Sequence, residues 1–193
     1  MTSLREIDAH AWEREAHEHY VEPAWVSMRL FDVEEFGAVH DPCCGFGTIV
    51  KAAWSHGLNA TGADLVDRGF ERGRVHNFFD EQHTVDCIVC NPPFDVAPAF
   101  AQHALKLAQR KVAMIFPVAR LNAAHWIEAT PLRRVWLLTP RPSMPPGHVI
   151  AAGDKPGGGK TDFVWLVWEI GFTGSSELKW LRRDGRPARE ILS

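Results

Sequence analysis

A run of six residues that stops against two prolines sets the first limit on how this chain folds. Val85-Asp86-Cys87-Ile88-Val89-Cys90 is apolar except at Asp86, as a short buried strand is, and Asn91-Pro92-Pro93-Phe94 follows at once. Proline has no N–H for a sheet ladder, so the strand ends at Cys90 and Asn91 stands at its carboxyl end. On such a strand Cys87 and Cys90 point to opposite faces, so their spacing reads as neither a metal nor a redox pair. Reduced, buried thiols among apolar runs suit a cytoplasmic setting.

A second strand end lies upstream. Ala38-Val39-His40 leads into Asp41-Pro42-Cys43-Cys44-Gly45-Phe46-Gly47-Thr48, and residues 48–56 read as a helix that Gly57 ends. Strand, glycine-bearing loop and helix together make the ligand cradle of a doubly wound sheet. Gly45 and Gly47 permit positive φ and close backbone approach. A further acid, Asp64, closes Ala60-Thr61-Gly62-Ala63-Asp64, about twenty residues past the loop, where a carboxylate suits ribose hydroxyls. The dinucleotide fingerprint is not met, because Val50 holds the third glycine position and Asp-Pro precedes the loop. A ligand with a ribose and no pyrophosphate fits better.

The rest of the chain alternates in the same way. Residues 1–19 read as a polar helical arm, and Tyr20-Val21-Glu22-Pro23-Ala24-Trp25 as a turn into a helix reaching Phe36, with Pro23 near its start. Residues 97–108 have helical period, 111–117 are an apolar strand, 121–130 a short helix and 134–138 a sixth strand. Residues 161–168 are apolar on both faces, as a central strand is. Strands alternating with helices predict an α/β sheet covered on both sides in one domain. The 139–160 stretch reads as a long functional loop, with Arg141, His148, Lys155 and Lys160 as candidate substrate contacts. Its Gly157-Gly158-Gly159-Lys160-Thr161 is no phosphate loop, since Asp154 stands where a glycine is required and a strand follows. Residues 171–193 read as a basic tail.

Charge narrows the partners. The chain of 193 residues has a net charge of −3, with the acid concentrated before residue 37 and a surplus of base after residue 130. That balance argues against strong non-specific nucleic-acid binding but leaves room for a local phosphate-binding face. No apolar run reaches the roughly 20 residues of a membrane span, and no histidine pair has helical metal-ligand spacing.

Asn91 and its neighbours carry a specific chemistry. An exocyclic amine on a heteroaromatic ring, like an amide nitrogen, is a poor nucleophile because its lone pair is delocalised. The Asn91 side-chain oxygen and the Pro92 carbonyl can accept its two hydrogens, favouring a tetrahedral nitrogen, while Pro92 and Pro93 stiffen the loop and Phe94 offers a stacking face.

In this order and spacing, Asp41-Pro-Cys-Cys-Gly45-Phe-Gly47, Gly62-Ala-Asp64 and Asn91-Pro-Pro-Phe94 resemble class I S-adenosylmethionine-dependent amino-methyltransferases. They look most like short phage- or prophage-type N6-adenine DNA methyltransferases, over about residues 20–170. The resemblance implies a Rossmann-like, seven-stranded mixed sheet with an antiparallel last strand, S-adenosylmethionine as cofactor, DNA as partner and no metal. It implies that Asp41, Pro42, Cys43, Gly45 and Gly47 line the methionine and ribose end, Asp64 the ribose, and Tyr20, Glu22 and Pro23 the methionine. Where the family often has Asp-Phe, this chain has Asn77-Phe78 with Asp80 nearby, so either Asn77 or Asp80 is placed to reach the cofactor's adenine. Asn91, Pro92, Pro93 and Phe94 would be catalytic. The family's separate recognition region has little room here, which implies short, loose recognition or a second subunit. An RNA base or a protein glutamine amide also suits the chemistry, and a non-catalytic cofactor- or nucleic-acid-binding module is the alternative of another class. A thiol route to cytosine carbon 5 is disfavoured, since the Pro42-Cys43 pair sits in the cofactor loop.

Overall fold

A computed structural model describes residues 19–153 and 158–186. Apart from His19, the expected N-terminal arm lies outside the described residues, as does Lys155.

The strands are β1 (Val39–Asp41), β2 (Ala60–Asp64), β3 (Gly73–Val75), β4 (Val85–Cys90), β5 (Ala108–Pro117), β6 (Leu132–Thr139), β7 (Phe163–Glu169) and β8 (Glu177–Arg182). They form one sheet in the order β3-β2-β1-β4-β5-β7-β6-β8. β7 runs antiparallel to β5 and β6, and the other pairs are parallel. The sheet therefore has eight strands, not the expected seven. The additional one, β8, lies in the stretch expected as a tail and pairs in parallel with β6 from Arg134↔Glu177 to Thr139↔Arg182.

Helices α1 (Ala24–Val33) and α2 (Thr48–Ser55) cover one face, and α3 (Ala97–Leu107) the other. Val26, Leu30 and Phe31 of α1 and Ile49, Ala52 and Ala53 of α2 pack with Cys87, Val89, Ile115 and Trp165. Phe100, Ala101 and Ala104 of α3 pack with Ile88, Cys90, Met114 and Trp168. Cys87 and Cys90 thus enter opposite halves of the core, as the pleat requires. Trp165 and Trp168 likewise divide between the faces, and each buried indole N–H finds an acceptor, Val26 O at 3.1 Å and Thr130 Oγ1 at 2.8 Å. Pro23 is the N-cap of α1.

Between β5 and β6 the expected short helix is two 3-10 turns, Val118–Ala123 and His125–Ile127. The 139–160 stretch is not structureless: α4 (Gly147–Ala151) lies in it, and Pro145, Pro146 and Gly147 are buried. No helix among the described residues is long and apolar enough to cross a membrane.

Candidate active site

In a parallel sheet all strands end on one edge, and here three polar residues arrive there together. β1 ends at Asp41, β2 at Asp64, and β4 hands over to Asn91. β1 lies between β2 and β4, so the chain leaves these ends in opposite directions and opens a crevice where α/β sheets bind ligands. The crevice is a cavity of about 350 Å³, within the range of small-molecule sites. Tyr20, Glu22, Asp41, Pro42, Cys43, Gly45, Asp64, Asn77, Phe78, Asn91 and Pro93 line it. Pro23, Gly47, Asp80, Pro92 and Phe94 do not. His19, Leu65, Arg68, Phe79 and Val96 are among the further wall residues, and they escaped the sequence reading. Leu65 carried a local signal, an apolar residue directly after a strand-ending acid.

The glycine loop is held by its own acid. Asp64 Oδ2 accepts the Gly45 N–H at 2.9 Å and Oδ1 accepts that of Val66 at 3.1 Å, so each oxygen keeps acceptor capacity for a hydroxyl. Gly45 (φ 50°) and Gly47 (φ 76°) are left-handed. A Cβ on Gly45 would meet His19 Nε2 at 2.4 Å, and one on Gly47 would meet the Phe70 ring at 2.6 Å. At these two positions the space that glycine leaves is taken by protein side chains.

Asn91 is fixed by its neighbours. Its Nδ2 donates to the Tyr20 carbonyl at 2.8 Å and to Glu22 Oε2 at 3.0 Å. A carbonyl can only accept, so the amide nitrogen must face Tyr20. Both amide hydrogens are then used, and Oδ1 is the group left for another molecule.

Acid gathers around it. Glu22 and Asp41 are 6% and 1% exposed. Burial pushes the Glu22 carboxyl up to about 7, against the hydrogen bonds from its own backbone and from Asn91. Burial and then the Glu22 charge push Asp41 well above the usual range, partly opposed by the Cys43 N–H that Asp41 Oδ1 accepts at 3.1 Å. Two buried carboxyls raised by burial, with the Glu22 charge adding to the rise of Asp41, make a cavity suited to a cation. The donor set thus fits the positive sulfonium and ammonium of S-adenosylmethionine, and the Asp64 oxygens its ribose. Among the described residues no cluster of His, Cys, Asp and Glu could hold a metal.

The thiols are kept neutral. Burial pushes Cys43 well up, and its Sγ is hydrogen-bonded to the Asn91 carbonyl oxygen at 3.3 Å. Cys44 is pushed up to about 12, chiefly by burial. Neither is poised as a nucleophile. Asn77 lines the cavity, whereas Asp80 accepts the Asn77 amide at 3.2 Å behind it.

The loop before α4 braces the opposite rim. Val21 N–H donates to Pro145 O at 2.9 Å, Gly147 N–H to His19 O at 2.8 Å, and Tyr20 bridges Pro146 in antiparallel fashion. Of the candidate substrate residues, Arg141 forms a two-pronged ion pair with Asp162 at 2.6 and 3.0 Å, and His148 and Lys160 are exposed. None of these three lines the cavity.

Sheet order, the antiparallel β7 and the crevice at the ends of β1, β2 and β4 decide the architecture. The chain has the class I methyltransferase fold. The M protein of the type I restriction enzyme EcoKI superposes with a TM-score of 0.60 at 12% identity, over 89% of this chain and 50% of that one. A Listeria monocytogenes protein assigned as a class I S-adenosylmethionine-dependent methyltransferase gives 0.59 at 11% identity, over 91% of this chain and 70% of that one. A Pyrococcus horikoshii protein assigned as an RNA methyltransferase gives 0.55 at 14% identity, over 76% and 81%. This chain therefore spans about half the length of the restriction enzyme's M protein. No family model and no curated protein matches it by sequence.

Proposed function

We propose that this chain transfers a methyl group from S-adenosylmethionine to an exocyclic amine, the N6 amine of adenine in DNA. The observation that carries the reading is the fixed amide of Asn91, whose Oδ1 is free to accept a hydrogen from an amine at the mouth of an acid-lined cavity. When bound, S-adenosylmethionine supplies a methyl group already activated by the positive sulfur, so no covalent enzyme intermediate is needed. Glu22 and Asp41 face that positive end, Asp64 the ribose, and Asn77, Phe78 and Phe79 the adenine of the cofactor. Asn91 Oδ1 and the Pro92 carbonyl hold the two hydrogens of the accepting amine and aim its lone pair. Phe94 lies outside the cofactor cavity, and we assign its ring to a base flipped from the stack. After transfer the surplus proton leaves the nitrogen.

The type I restriction subunit among the structural neighbours supports DNA, and the RNA methyltransferase assignment makes RNA the comparison to run. The stretch with Arg141, His148, Lys155 and Lys160 is short for a recognition region. We assign the rest of the recognition to a second subunit or partner.

Purified protein, labelled S-adenosylmethionine and unmethylated DNA, with RNA and a protein extract in parallel, test the reading. N6-methyladenine in DNA, lost in Asn91→Ala, is the expected product. Label in RNA or in glutamine would overturn the substrate and keep the chemistry. Cofactor binding without transfer to any of the three would point to a missing partner or to a binding module.

A further inference from the structure

The proposed chemistry asks only that Asn91 present an oxygen; it does not ask what presents Asn91. Two acceptors hold its amide, and they differ in kind. The Tyr20 carbonyl is neutral and fixed by the backbone, whereas Glu22 is a titratable side chain almost fully removed from water. Both belong to the segment that leads into α1, and that segment is braced from behind by Pro145 and Pro146. A carboxylate accepting from an amide N–H draws electron density toward the amide oxygen. It makes that oxygen a stronger acceptor than a neutral partner would, and the low dielectric of a buried site amplifies the effect.

We propose that Glu22 is a positioning residue for methyl transfer: in its ionised form it orients the Asn91 amide and polarises Oδ1 toward the accepting amine. This rests on the functional reading above for its kinetic consequence, though not for its structural one. The ionisable groups facing Glu22 are Asp41 at the end of β1 and Cys90 at the end of β4, with Cys43, Cys44, Asp64, Asp95, Arg68 and His19 in the same cavity wall. Asp41 opposes ionisation of Glu22. A bound cation between the two carboxyls favours it, so the arrangement is switched on when the positively charged cofactor is in place.

Glu22→Gln separates charge from shape. A glutamine keeps an oxygen to accept from Asn91 Nδ2 and so keeps the orientation, while the charge and its titration are lost. The first readout needs neither cofactor nor substrate. In the wild-type protein the side-chain N–H resonances of Asn91 should move with pH as Glu22 titrates, and in Glu22→Gln they should stay still. Resonances that titrate equally in both proteins, or in neither, would overturn the inference. The second readout is kinetic, at saturating S-adenosylmethionine. Wild-type kcat should rise about tenfold per pH unit below the Glu22 transition and then level off. Glu22→Gln should be flat and about tenfold slower at the plateau. A variant that raised only the KM for cofactor, with wild-type kcat and pH profile, would make Glu22 a cofactor ligand and nothing more, which overturns the proposal. A wild-type chain that binds no S-adenosylmethionine would overturn the functional reading, and the amide titration would still decide Glu22.

Discussion

Asn91 Nδ2 donates to the carbonyl oxygen of Tyr20 across 2.8 Å and 71 positions of sequence. This contact makes asparagine at position 91 specific in this chain. Aspartate has no N–H for the Tyr20 carbonyl and would add a third carboxyl to Glu22 and Asp41. We expect Asn91→Asp to lose about 1–3 kcal/mol of stability, and to lose more at pH 8 than at pH 5.5. The new carboxyl's folded pKa would be raised, so its cost grows as pH rises from the unfolded value through the folded one. Urea unfolding at the two pH values checks this. A variant as stable as wild type at pH 8 would contradict the contact.

Burial pushes the Glu22 carboxyl up to about 7 in the folded chain, from 4.5 for a free carboxyl. Between those values the folded form holds a proton that the unfolded form has released, so this group's contribution falls as pH rises through that window. Its full size is about 3 kcal/mol, from 1.36 kcal/mol per unit. The stability of wild type relative to Glu22→Gln should therefore decline from pH 4.5 to 7 and be flat below. The raised Asp41 carboxyl acts in the same direction and persists in the variant, losing only the part of its rise that the Glu22 charge supplies, so the difference between the two proteins reports Glu22 together with its coupling to Asp41. Denaturant curves at half-unit pH steps give it directly.

The same acids should distinguish cofactor from product. S-adenosylmethionine brings a positive sulfur to Glu22 and Asp41, and S-adenosylhomocysteine brings a neutral thioether. Below pH 7 the cofactor must displace protons from these carboxyls, so its affinity should rise with pH, while that of the product should change less. Calorimetry in buffers of different ionisation enthalpy should show proton release for S-adenosylmethionine and less for the product. Equal release for both would place the sulfur away from these acids.

The parts of this site that follow from local chemistry were readable from sequence. Asp41, Asp64 and Asn91 each terminate an apolar run, and a residue that ends a parallel strand is carried to the common edge whatever the rest does. Opposite burial of Cys87 and Cys90 followed from the pleat alone. What was not readable depends on distant partners. Asn91 meets Tyr20 and Glu22 on the segment before α1, which is itself held by Pro145 and Pro146 far along the chain. β8 escaped because its alternating run, Glu177-Leu178-Lys179-Trp180, is short and lies in a stretch rich in basic residues; its alternating apolar residues Leu178 and Trp180 are exposed, and Leu181 is its one buried residue. That Asn77 lines the cavity while Asp80 accepts its amide outside the wall is likewise a matter of one hydrogen bond that no local signal announces.

Away from the cavity, Glu34 should govern stability alone. Its side chain is 1% exposed and meets Lys111 at 2.9 Å, Arg134 at 2.5 Å and the Trp136 indole N–H at 2.9 Å. Burial pushes its carboxyl up, but Arg134, Trp136 and Lys111 together pull it below its ordinary value. Glu34→Ala leaves two cations without this partner and should cost about 3–5 kcal/mol, with cofactor affinity unchanged in the protein that remains folded. Because the folded pKa is depressed, this contribution is present above the unfolded value and is lost as pH falls through the folded one. Thermal melts and calorimetry on the same sample would test both halves.

Arg120 offers the converse case, a residue that should matter for turnover and little for stability. It sits on the 3-10 turn after β5, donates to the Phe94 carbonyl at 2.9 Å, and forks onto Asp95 Oδ1 at 3.2 and 3.1 Å. With side-chain exposures of 42% and 56%, that ion pair contributes at most about 1 kcal/mol to folding. Its consequence is positional: it holds the carbonyl of the residue whose ring, tilted at 37° and 5.9 Å from Phe163, is proposed to receive the accepting base. Arg120→Ala frees the loop just after the prolines. We expect the melting temperature to stay within a few degrees, S-adenosylmethionine affinity to change little, and kcat to fall about tenfold, as misplacement near a reacting group does. Arg120→Lys should recover part of the rate, because an ammonium reaches one acceptor but cannot fork. If cofactor affinity fell in step with kcat, the loop would belong to the cofactor site, and the division of labour between Asn91 and Phe94 would need to be redrawn.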